Sequence, residues 1–570
     1  MIDTKETITT KFPSITKLPP LLTSPFFGAL KKIIHENDIN SFLSKNRHLG
    51  AFDFIESVLD YFQFSYKISQ NQIENIPKTG RVIIIANHPL GALDALSLID
   101  MVKNIRKDIK VVANSLLSSI EQLKPILIEV DTFGNKIPKR SAKLVYDALE
   151  REEVVIIFPS GEVSRIRPNG IKDIKWNKGF LRFAKKRQAP ILPIYIKAKN
   201  STLFYTISSI NKTLSSSLLP HEMFHQKNKN LEFKIGELIP YSSYANTHMD
   251  IGTEVKLFKK HLYRIAKNKK PIFATQKCIA HPEERQLLKE ELKKAKLLGE
   301  TSDKKRIYLY EFDSKSILMR EIGRLRELTF RKVEEGTGEK RDLDEYDRYY
   351  KHIILWDDEA LEIVGSYRIA ESNFVYKHYG VDGFYSNSLF RFQSGFKKYL
   401  QNSIELGRSF VQPKYWGSRA LDYLWQGIGA YLSQNPHIKY MFGPVSLSGA
   451  LPKNAQNLII YYYNLYYGKS SNYLNPIEPF IINHSQEKEL RAIFNGDDIK
   501  KDFLTLKSQL KCYGVTIPTL YKQYTDLCEE NGICFMGYNI DRAFNNCIDS
   551  FILVEIDKIK AKKRERYIKQ

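Results

Sequence analysis

Residues 81–100 read RVIIIANHPLGALDALSLID, and this stretch decides how the first part of the chain folds. Residues 82–86 are apolar and mostly β-branched, which is typical of a strand buried on both faces. Residues 87–91 break this pattern with a Pro and a Gly, and apolar residues then return at helical spacing. The pattern predicts a strand, a tight turn and a helix, with His88 at the strand tip and Asp94 in the first helical turn.

His88 and Asp94 carry the side chains that general-base catalysis needs. A carboxylate that accepts a hydrogen bond from one imidazole nitrogen fixes the tautomer, and the other nitrogen then takes a proton from an attacking hydroxyl. The start of a helix also favours a carboxylate through the helix dipole. The same spacing fits a turn histidine beside an ordinary helix-start aspartate, so the pair alone leaves both interpretations open.

The composition is that of a globular protein with a large excess of positive charge. The 570 residues suffice for two or three domains, and 43% of them are hydrophobic and 26% charged. Lys and Arg outnumber Asp and Glu by 87 to 64, which gives a net charge of +23. Acidic partners are therefore expected, namely nucleic acid, an anionic membrane surface or an acidic carrier protein. The basic residues are spread along the chain without a nucleic-acid-binding motif, so nucleic acid is not expected.

Cysteine usage and hydropathy indicate where the protein works. The five cysteines include no CxxC pair and their number is odd, as expected for a reduced cytoplasmic protein without structural zinc. The first residues, MIDTKETITTKFP, lack the apolar core of a secretory signal. Apolar runs stay short of the ~20 residues of a membrane-spanning helix. We expect a cytoplasmic protein whose contact with the inner face of the cell membrane is peripheral.

Residues 76–250 alternate short apolar runs with helical segments, as in an α/β domain. Strands are predicted at 109–113, 126–130, 154–158, 191–196 and 231–235, and a helix at 141–150. Two turns carry polar residues suited to a ligand. One, residues 134–140, ends in Arg140, and the other, FPSGEVSR at 158–165, carries Glu162 and Arg165.

Four short blocks in this order resemble the glycerolipid acyltransferases, the lysophosphatidic-acid-synthase-like superfamily. They are the motif from His88 to Asp94, a Gly-x-x-Phe-x-x-Arg block that ends at Arg140, a Phe-Pro-x-Gly turn at 158–161, and an apolar strand with prolines at 189–194. The resemblance implies an O-acyltransferase in which His88 is the base and Asp94 orients it. It also implies that Arg140, Glu162 and Arg165 bind the polar head of the acceptor.

Two departures from this pattern concern the acceptor. Five residues separate His88 from Asp94 where the family usually has four, and Ser160 replaces the usual Glu of the third block. A glycerol phosphate acceptor is therefore not expected. The form Asn-His-Pro-x-Gly-x-x-Asp resembles the branch that acylates aminolipids.

Residues 305–570 contain a second set of charged residues on predicted strands. The segment SIELGRSFV at 403–411 is a predicted strand with Glu405 and Arg408 near its centre, and a helix rich in Leu and aromatic residues follows. Arg368 closes the second strand of a predicted hairpin. An internal ion pair on a sheet would explain Glu405 and Arg408 as well as a catalytic role would.

This half resembles the acetyltransferase-like (GNAT) enzymes that use acyl carrier protein, such as the acyl-homoserine-lactone synthases and the ornithine-lipid N-acyltransferases. The matching residues are Arg326, Phe330, Asp344, Asp347, Arg368, Glu405 and Arg408. The resemblance implies an N-acyltransferase with Glu405 as the base and with Arg326, Asp344, Asp347, Arg368 and Arg408 binding the substrate. The coenzyme A pyrophosphate loop is missing near residues 414–420, which favours acyl carrier protein over acyl-coenzyme A as the acyl donor. Neither a bound cofactor nor a metal is expected.

The predicted fold class is therefore α/β in both halves. We predict an N-terminal helical region at 1–75, a glycerolipid-acyltransferase-like domain at 76–250, a helical connector at 251–304 and a GNAT-like domain at 305–570. The apolar segment 18–34 either lies in a membrane interface or forms a helical layer over the first sheet.

Taken together, the two halves resemble the bifunctional ornithine lipid synthases. The resemblance implies N-acylation of an amino acid, with ornithine as first choice, by 3-hydroxyacyl carrier protein. O-acylation of the resulting lyso-lipid then follows. The alternatives are a glycine or lysine lipid, a phospholipid-remodelling enzyme whose second domain recruits carrier protein, and a non-enzymatic membrane-surface binder.

Overall fold

The fold is known from a computed structural model. It describes residues 31–114, 117, 120–130, 138–168, 170–210, 215, 218–469, 473–542 and 544–568, together with residues 9, 27 and 28. The chain divides into two compact units, Met1–Cys278 and Ile279–Gln570. Both are mixed α/β, so the predicted fold class is confirmed.

The first unit contains a seven-stranded sheet in the order β1-β9-β8-β2-β5-β3-β4. The strands are β1 Ser65–Lys67, β2 Val82–Ala86, β3 Ile109–Asn114, β4 Leu127–Val130, β5 Val154–Ile157, β8 Ile191–Lys197 and β9 Asn230–Ile235, with a separate hairpin of β6 Arg165–Arg167 and β7 Gly170–Lys172. Strand β2 lies between β8 and β5 and is parallel to both. It is buried along its whole length, as the unbroken apolar run predicted.

Helices cover both faces of this sheet. The helices described in this unit are Glu36–Lys45, Ala51–Tyr61, Gln70–Ile73, Leu93–Lys103, Lys139–Glu150, Gly179–Arg187, Thr202–Ile210, Leu219–His225 and Ile251–Ile265. Alternate residues of β2 feed two separate cores, because successive side chains of a strand point to opposite faces. Val82 and Ile84 pack with the helices Ala51–Tyr61 and Leu93–Lys103, whereas Ile83 and Ile85 pack with helices from the opposite face.

The predicted N-terminal helical region is described in part. Residues 18–26 and 29–30 of the apolar segment lie outside the described residues. This region contains the helix Ala51–Tyr61, whose Phe54, Ile55 and Val58 are buried in the core. This helix is thus a layer over the first sheet.

The second unit contains an eight-stranded sheet in the order β10-β11-β12-β13-β15-β16-β19-β18. The strands are β10 Lys296–Glu300, β11 Arg306–Glu311, β12 Lys351–Asp357, β13 Glu362–Glu371, β15 Ser403–Val411, β16 Tyr440–Leu447, β18 Ile533–Asp541 and β19 Cys547–Glu555, beside a small ladder of β14 Phe390–Phe392 and β17 Leu474–Pro476. Its helices are Arg285–Leu292, Ile317–Lys332, Ser372–Tyr379, Lys397–Leu400, Ala420–Gln434, Lys453–Tyr467, His484–Ile493, Ile499–Cys512, Thr519–Leu527 and Ala561–Tyr567.

Strands β15 and β16 are the parallel pair of the second sheet, and they pair over a short distance. β15 pairs with β16 only at Ser403, Ile404 and Glu405. On their other edges, β15 pairs with β13 from residue 404 to 411, and β16 pairs with β19 from residue 440 to 447. The two parallel strands therefore separate just beyond Glu405. This separation puts Glu405 and the residues after it at a break in the sheet.

The residues predicted as a connector are distributed between the units. Helix Ile251–Ile265 belongs to the first unit, and helix Arg285–Leu292 and strand β10 belong to the second. The prediction that this connector is helical is wrong at residues 296–300, because Lys296–Glu300 is a strand that pairs antiparallel with β11. Among the residues that the structure describes, no helix has the length and hydropathy to cross a membrane.

Candidate active sites

The first candidate site lies at the carboxyl end of β2. His88 follows this strand, and its Nδ1 lies 3.1 Å from Oδ2 of Asp94 in the next helix. Asp94 is fully buried and also accepts hydrogen bonds from the backbone N–H groups of Leu90 and Ala95, at 2.9 and 2.8 Å. A carboxylate in this position assigns the imidazole hydrogen to Nδ1 and leaves Nε2 as the proton acceptor. The structure thus brings the predicted pair together.

The electrostatics of this pair oppose the effect of burial. Burial alone would lower the pKa of His88, but the charge of Asp94 and its hydrogen bond, with a further contribution from Asp173, raise that pKa above its ordinary value of 6.5. Burial acts to raise the pKa of Asp94, yet the charge of His88 and the hydrogen bonds to the carboxylate hold that pKa below its ordinary value. The arrangement therefore favours a carboxylate beside an imidazole that takes up a proton readily.

The ends of three neighbouring strands hold the loop of His88. The side chain of Asn87 donates to the carbonyl of Ile196 at 2.8 Å and accepts from its N–H at 2.7 Å, which joins β2 to β8. The ring of Phe158, just beyond β5, lies 4.3 Å from the His88 ring, centroid to centroid. The N–H of Ser164 donates to the His88 carbonyl at 2.7 Å. The carboxyl ends of parallel strands are where α/β sheets bind ligands.

The three residues predicted to bind the acceptor's head lie in different surroundings. Arg140 is exposed in the first turn of the helix Lys139–Glu150, and the residues just before it, 131–137, lie outside the described residues. Arg165 is buried, and its Nη1 donates to the hydroxyls of Ser208 and Ser215. Burial lowers the pKa of Arg165, an effect that the charge of Glu162 opposes. Glu162 and Arg165 thus interact, and their part in binding stays a prediction.

Sequence reasoning missed a buried carboxylate next to His88. Asp173 follows the hairpin of β6 and β7, and its Oδ1 accepts a hydrogen bond from the backbone N–H of His88 at 3.2 Å. The segment around it, IKDIKW, has no motif or periodicity that would mark it. The contact joins residues 85 positions apart, which the sequence alone does not reveal.

The second candidate site lies on β15 and the elements that face it. Glu405 is buried, its Oε1 accepts from the N–H of Ser386 at 2.6 Å, and its Oε2 accepts from the Tyr350 hydroxyl. Burial raises the pKa of Glu405 above its ordinary value, and these hydrogen bonds and the charge of Arg368 oppose the rise. A carboxylate with a raised pKa is a stronger base than an exposed one.

A buried network of opposite charges surrounds this strand. Arg326 donates to both carboxylate oxygens of Asp347, at 2.9 and 3.1 Å. Arg368 donates to Asp344 and, at 3.2 Å, to Asp347. Arg408 lies 3.4 Å from Asp344, nitrogen to oxygen. The structure thus brings together all five residues that were predicted to bind the substrate in this half.

Exposure separates the members of the network into two groups. The side chains of Arg326, Arg368 and Asp347 are 0 to 1% exposed, whereas that of Asp344 is 22% and that of Arg408 is 10% exposed. Burial acts to raise the pKa of Asp347, but the charges of Arg326 and Arg368 outweigh it and lower that pKa strongly. Asp344 and Arg408 are therefore the more accessible members of the network, and Arg368 connects Asp344 to the buried Asp347.

Two further members of the network were not predicted. Oδ2 of Asp342 lies 3.3 Å from Nε of Arg408, and burial raises the pKa of Asp342. His352 lies 3.3 Å from Arg326, and burial lowers its pKa to about 3, which keeps it neutral. A pattern search would pass over both, because an isolated Asp and an isolated His carry no spacing signal.

Arg408 owes its direction to a bulge in β15. Its φ is +47°, and the register shifts between Ser366 and Arg368 on the partner strand. A bulge turns a side chain away from the regular alternation of the strand. Here it directs the guanidinium to Asp342 and Asp344 and to Tyr385, whose hydroxyl accepts from Arg408 at 2.9 Å.

The groups available for chemistry at both sites are carboxylates, an imidazole and hydroxyls. In the part of the chain that the structure describes, no group of three or more His, Cys, Asp or Glu side chains is arranged to hold a metal ion. Cys512, Cys528, Cys534 and Cys547 are free thiols.

Comparison with known proteins bears on both units. A family model described as Acyltransferase matches residues 7–270, and one described as Acetyltransferase (GNAT) domain matches residues 325–426. Glycine N(alpha)-acyltransferase from Bacteroides thetaiotaomicron is 35% identical over 303 residues, which cover 51% of this chain and 89% of that protein. Lyso-glycine lipid O-acyltransferase from the same organism is 28% identical over 251 residues, 43% of this chain and 90% of that protein.

A third relative has a different amino acid in its name. L-ornithine N(alpha)-acyltransferase from Brucella abortus is 35% identical over 120 residues, 20% of this chain and 41% of that protein. The resemblance predicted from the motifs is confirmed, and an enzyme is favoured over a non-enzymatic membrane binder. The chain belongs to the aminolipid acyltransferases, with an acyltransferase domain followed by a GNAT domain.

Proposed function

We propose that this protein makes a diacylated amino-acid lipid by two successive acyl transfers. The second unit acylates the α-amine of an amino acid, and the first unit then acylates the hydroxyl of the lyso-lipid so formed. One observation carries the proposal: a single chain is similar to a glycine N(alpha)-acyltransferase and to a lyso-glycine lipid O-acyltransferase. An N-acylated glycine carries one acyl chain, so the first activity would supply a substrate for the second.

Glycine is our first candidate for the amino acid, and ornithine is the second. The matches to the two glycine-named proteins cover 89 and 90% of their lengths, whereas the match to the ornithine-named protein covers 41%. Ornithine is the choice that the motifs of the second half favoured, and it stays a prediction. The two products differ in mass and in charge, so one measurement separates them.

In the first transfer, Glu405 acts as the base. The α-amine attacks the carbonyl carbon of a 3-hydroxyacyl thioester, the C–N bond forms and the C–S bond breaks. The amine must lose a proton on the way, and a buried carboxylate with a raised pKa accepts it well. The protonated Glu405 then gives this proton to the leaving thiolate, and Asp344 and Arg408 bind the charged ends of the amino acid.

In the second transfer, His88 acts as the base and Asp94 orients it. Nε2 takes the proton of the 3-hydroxyl, the oxygen attacks a second thioester, and the imidazolium then returns the proton to the leaving thiolate. Asp94 stabilises the imidazolium through the 3.1 Å contact with Nδ1. Backbone N–H groups of the turn stabilise the oxyanion, and Arg140, Glu162 and Arg165 bind the head of the lyso-lipid.

The acyl donor that we propose is acyl carrier protein, and the place of reaction is the inner face of the cell membrane. The net charge of +23 supports an acidic protein partner and an anionic lipid surface. The lyso-lipid is amphiphilic, which also supports a reaction at a lipid surface. Acyl-coenzyme A in place of the carrier protein is the alternative donor.

Expression in a bacterium that lacks aminolipids tests this function. Mass spectrometry of the lipid extract should show a diacylated amino-acid lipid. His88→Ala should accumulate the mono-acylated lipid, and Glu405→Gln should yield neither, while the exposed controls His225→Ala and Glu489→Gln behave as wild type. An amide-free lipid product would instead favour phospholipid remodelling.

A further inference from the structure

We propose that Asp173 is a positioning residue for O-acyl transfer, a second carboxylate that fixes the backbone of His88 while Asp94 fixes its ring, and that stabilises the imidazolium when it forms. The inference rests on the proposed role of His88 as the base. It adds a residue that the four sequence blocks do not contain.

The hydrogen bonds of Asp173 connect separate parts of the site. Its Oδ1 accepts from the N–H of His88 at 3.2 Å and from the Ser164 hydroxyl at 2.5 Å, and its Oδ2 accepts from the indole N–H of Trp176 at 2.8 Å. Burial raises the pKa of Asp173 above its ordinary value, and these hydrogen bonds and the charge of His88 oppose the rise. Three donors converge on one buried carboxyl group, which is the pattern of an ionised carboxylate. Asp173 therefore carries a negative charge inside the unit.

Asp173 and Ser164 hold the main chain of His88 at both of its polar groups. The N–H of His88 donates to Asp173, and its carbonyl accepts from the N–H of Ser164 at 2.7 Å. Ser164 follows the Phe-Pro-x-Gly turn, so the carboxylate links the first and third blocks. Asp94 fixes the ring and Asp173 fixes the backbone from which the ring projects.

Helix Ile251–Ile265 supports the segment that carries Asp173. The Tyr263 hydroxyl accepts from the N–H of Asp173 at 2.8 Å. Lys259 donates to the carbonyls of Asp173 and Ile174 at 2.7 and 2.8 Å. The lysine places a positive charge near the buried carboxylate, which offsets part of the cost of burying it.

Several charged and titratable groups face this site. His88 faces Asp94 from helix Leu93–Lys103 and Asp173 from the loop after β7. Asp173 in turn faces Lys259 and Tyr263 from helix Ile251–Ile265 and interacts with Tyr195 of β8. The charge of Asp173 contributes to the raised pKa of His88. Its removal should therefore make the imidazolium less stable.

The test is the double variant Asp173→Asn, Trp176→Phe, compared with Trp176→Phe alone. Asn can still accept from His88 and Ser164 through its carbonyl oxygen. Its amide N–H₂ would face the indole N–H of Trp176, donor against donor, and the Trp176→Phe change removes that indole donor from both proteins. The pH profile of kcat/KM for O-acylation is measured with supplied lyso-lipid and acyl thioester.

We expect the acid limb of the double variant to move down by about half a pH unit or more relative to Trp176→Phe. We also expect kcat to fall about tenfold with KM for the lyso-lipid little changed, because the loss concerns orientation and charge at the base. N-acylation by the same chain should keep its rate. An unmoved acid limb with unchanged kcat would overturn the proposal.

A thermal melt and the N-acylation rate would reveal whether the double variant fails to fold. A second variant tests the proposal in that case. Ser164→Ala keeps the charge of Asp173 and removes one of its hydrogen bonds, so kcat should fall several-fold with an unmoved acid limb. Wild-type kcat in that variant would overturn the proposal. A failure of the proposed function gives a different result, because the His88→Ala enzyme would then still O-acylate the lyso-lipid.

Discussion

Replacing Asp94 by Asn removes the charge that faces His88 while keeping nearly the same side-chain volume. Oδ2 of Asp94 accepts from both Nδ1 of His88 and the N–H of Leu90, and Oδ1 accepts from the N–H of Ala95. An Asn has one acceptor oxygen. If that oxygen faces His88, the amide N–H₂ lies against the N–H of Ala95, donor against donor. If the amide is flipped, its N–H₂ donates to Nδ1 of His88. The ring hydrogen then lies on Nε2, which can no longer accept a proton.

The size of the effect follows from these contacts. A hydrogen bond to a charged group contributes about 1.5–3 kcal/mol, and each ~1.4 kcal/mol is tenfold in rate. The lost charge alone should therefore slow O-acylation by about ten- to hundredfold. The wrong tautomer removes the base altogether, which is worth about 10²–10⁴-fold. We therefore expect kcat to fall by about ten- to hundredfold if the amide oxygen faces His88, and by about 10²–10⁴-fold if the amide is flipped.

The assay is O-acylation of supplied lyso-lipid by purified enzyme, with Asp60→Asn as the matched control. Asp60 is exposed in helix Ala51–Tyr61, so its variant removes the same charge without touching the site. A thermal melt and the N-acylation rate establish that the Asp94→Asn protein is folded. A folded variant that keeps more than about a third of the wild-type kcat would refute the role of Asp94.

Three further predictions concern the second unit and the pH dependence. Glu405→Gln should abolish N-acylation while supplied lyso-lipid is still O-acylated, and retained amide formation would remove Glu405 from the mechanism. Arg368→Met removes one of the cations that contact Asp344 and Asp347, so the free energy of unfolding measured with denaturant should fall by about 3–5 kcal/mol. An unchanged unfolding midpoint would contradict the account of the network. The rate of O-acylation should fall as the pH is lowered through the raised pKa of His88, because imidazolium cannot accept a proton. The midpoint of this fall should therefore lie above pH 6.5. A midpoint below pH 6.5 would contradict the raised pKa.

The sequence predicted the parts of the fold that depend on local pattern. The buried run before His88 indicated a central parallel strand, and β2 is flanked by β8 and β5 as such a strand requires. Because parallel strands end at one edge, the turn after β5 meets the histidine, and Phe158 lies against it. The short apolar runs of the first unit marked strand bounds close to those observed.

The features that could not be predicted from the sequence depend on contacts between distant residues. Asp173 acts on His88 across 85 positions, and the residues around it have no periodicity. Residues 296–300 have the composition of a helix but form a strand, because β11 offers a partner edge and tertiary pairing overrides local propensity. The five charged residues of the second half were found by resemblance. Their division into buried and accessible members became visible only in the structure.

The measurement that tests the central claim most directly is the lipid profile of an aminolipid-free bacterium that expresses the chain and its two variants. We predict a diacylated amino-acid lipid with the wild type, the mono-acylated lipid with His88→Ala, and neither with Glu405→Gln. Diacylated lipid with His88→Ala would contradict the claim that two sites in one chain perform two successive transfers.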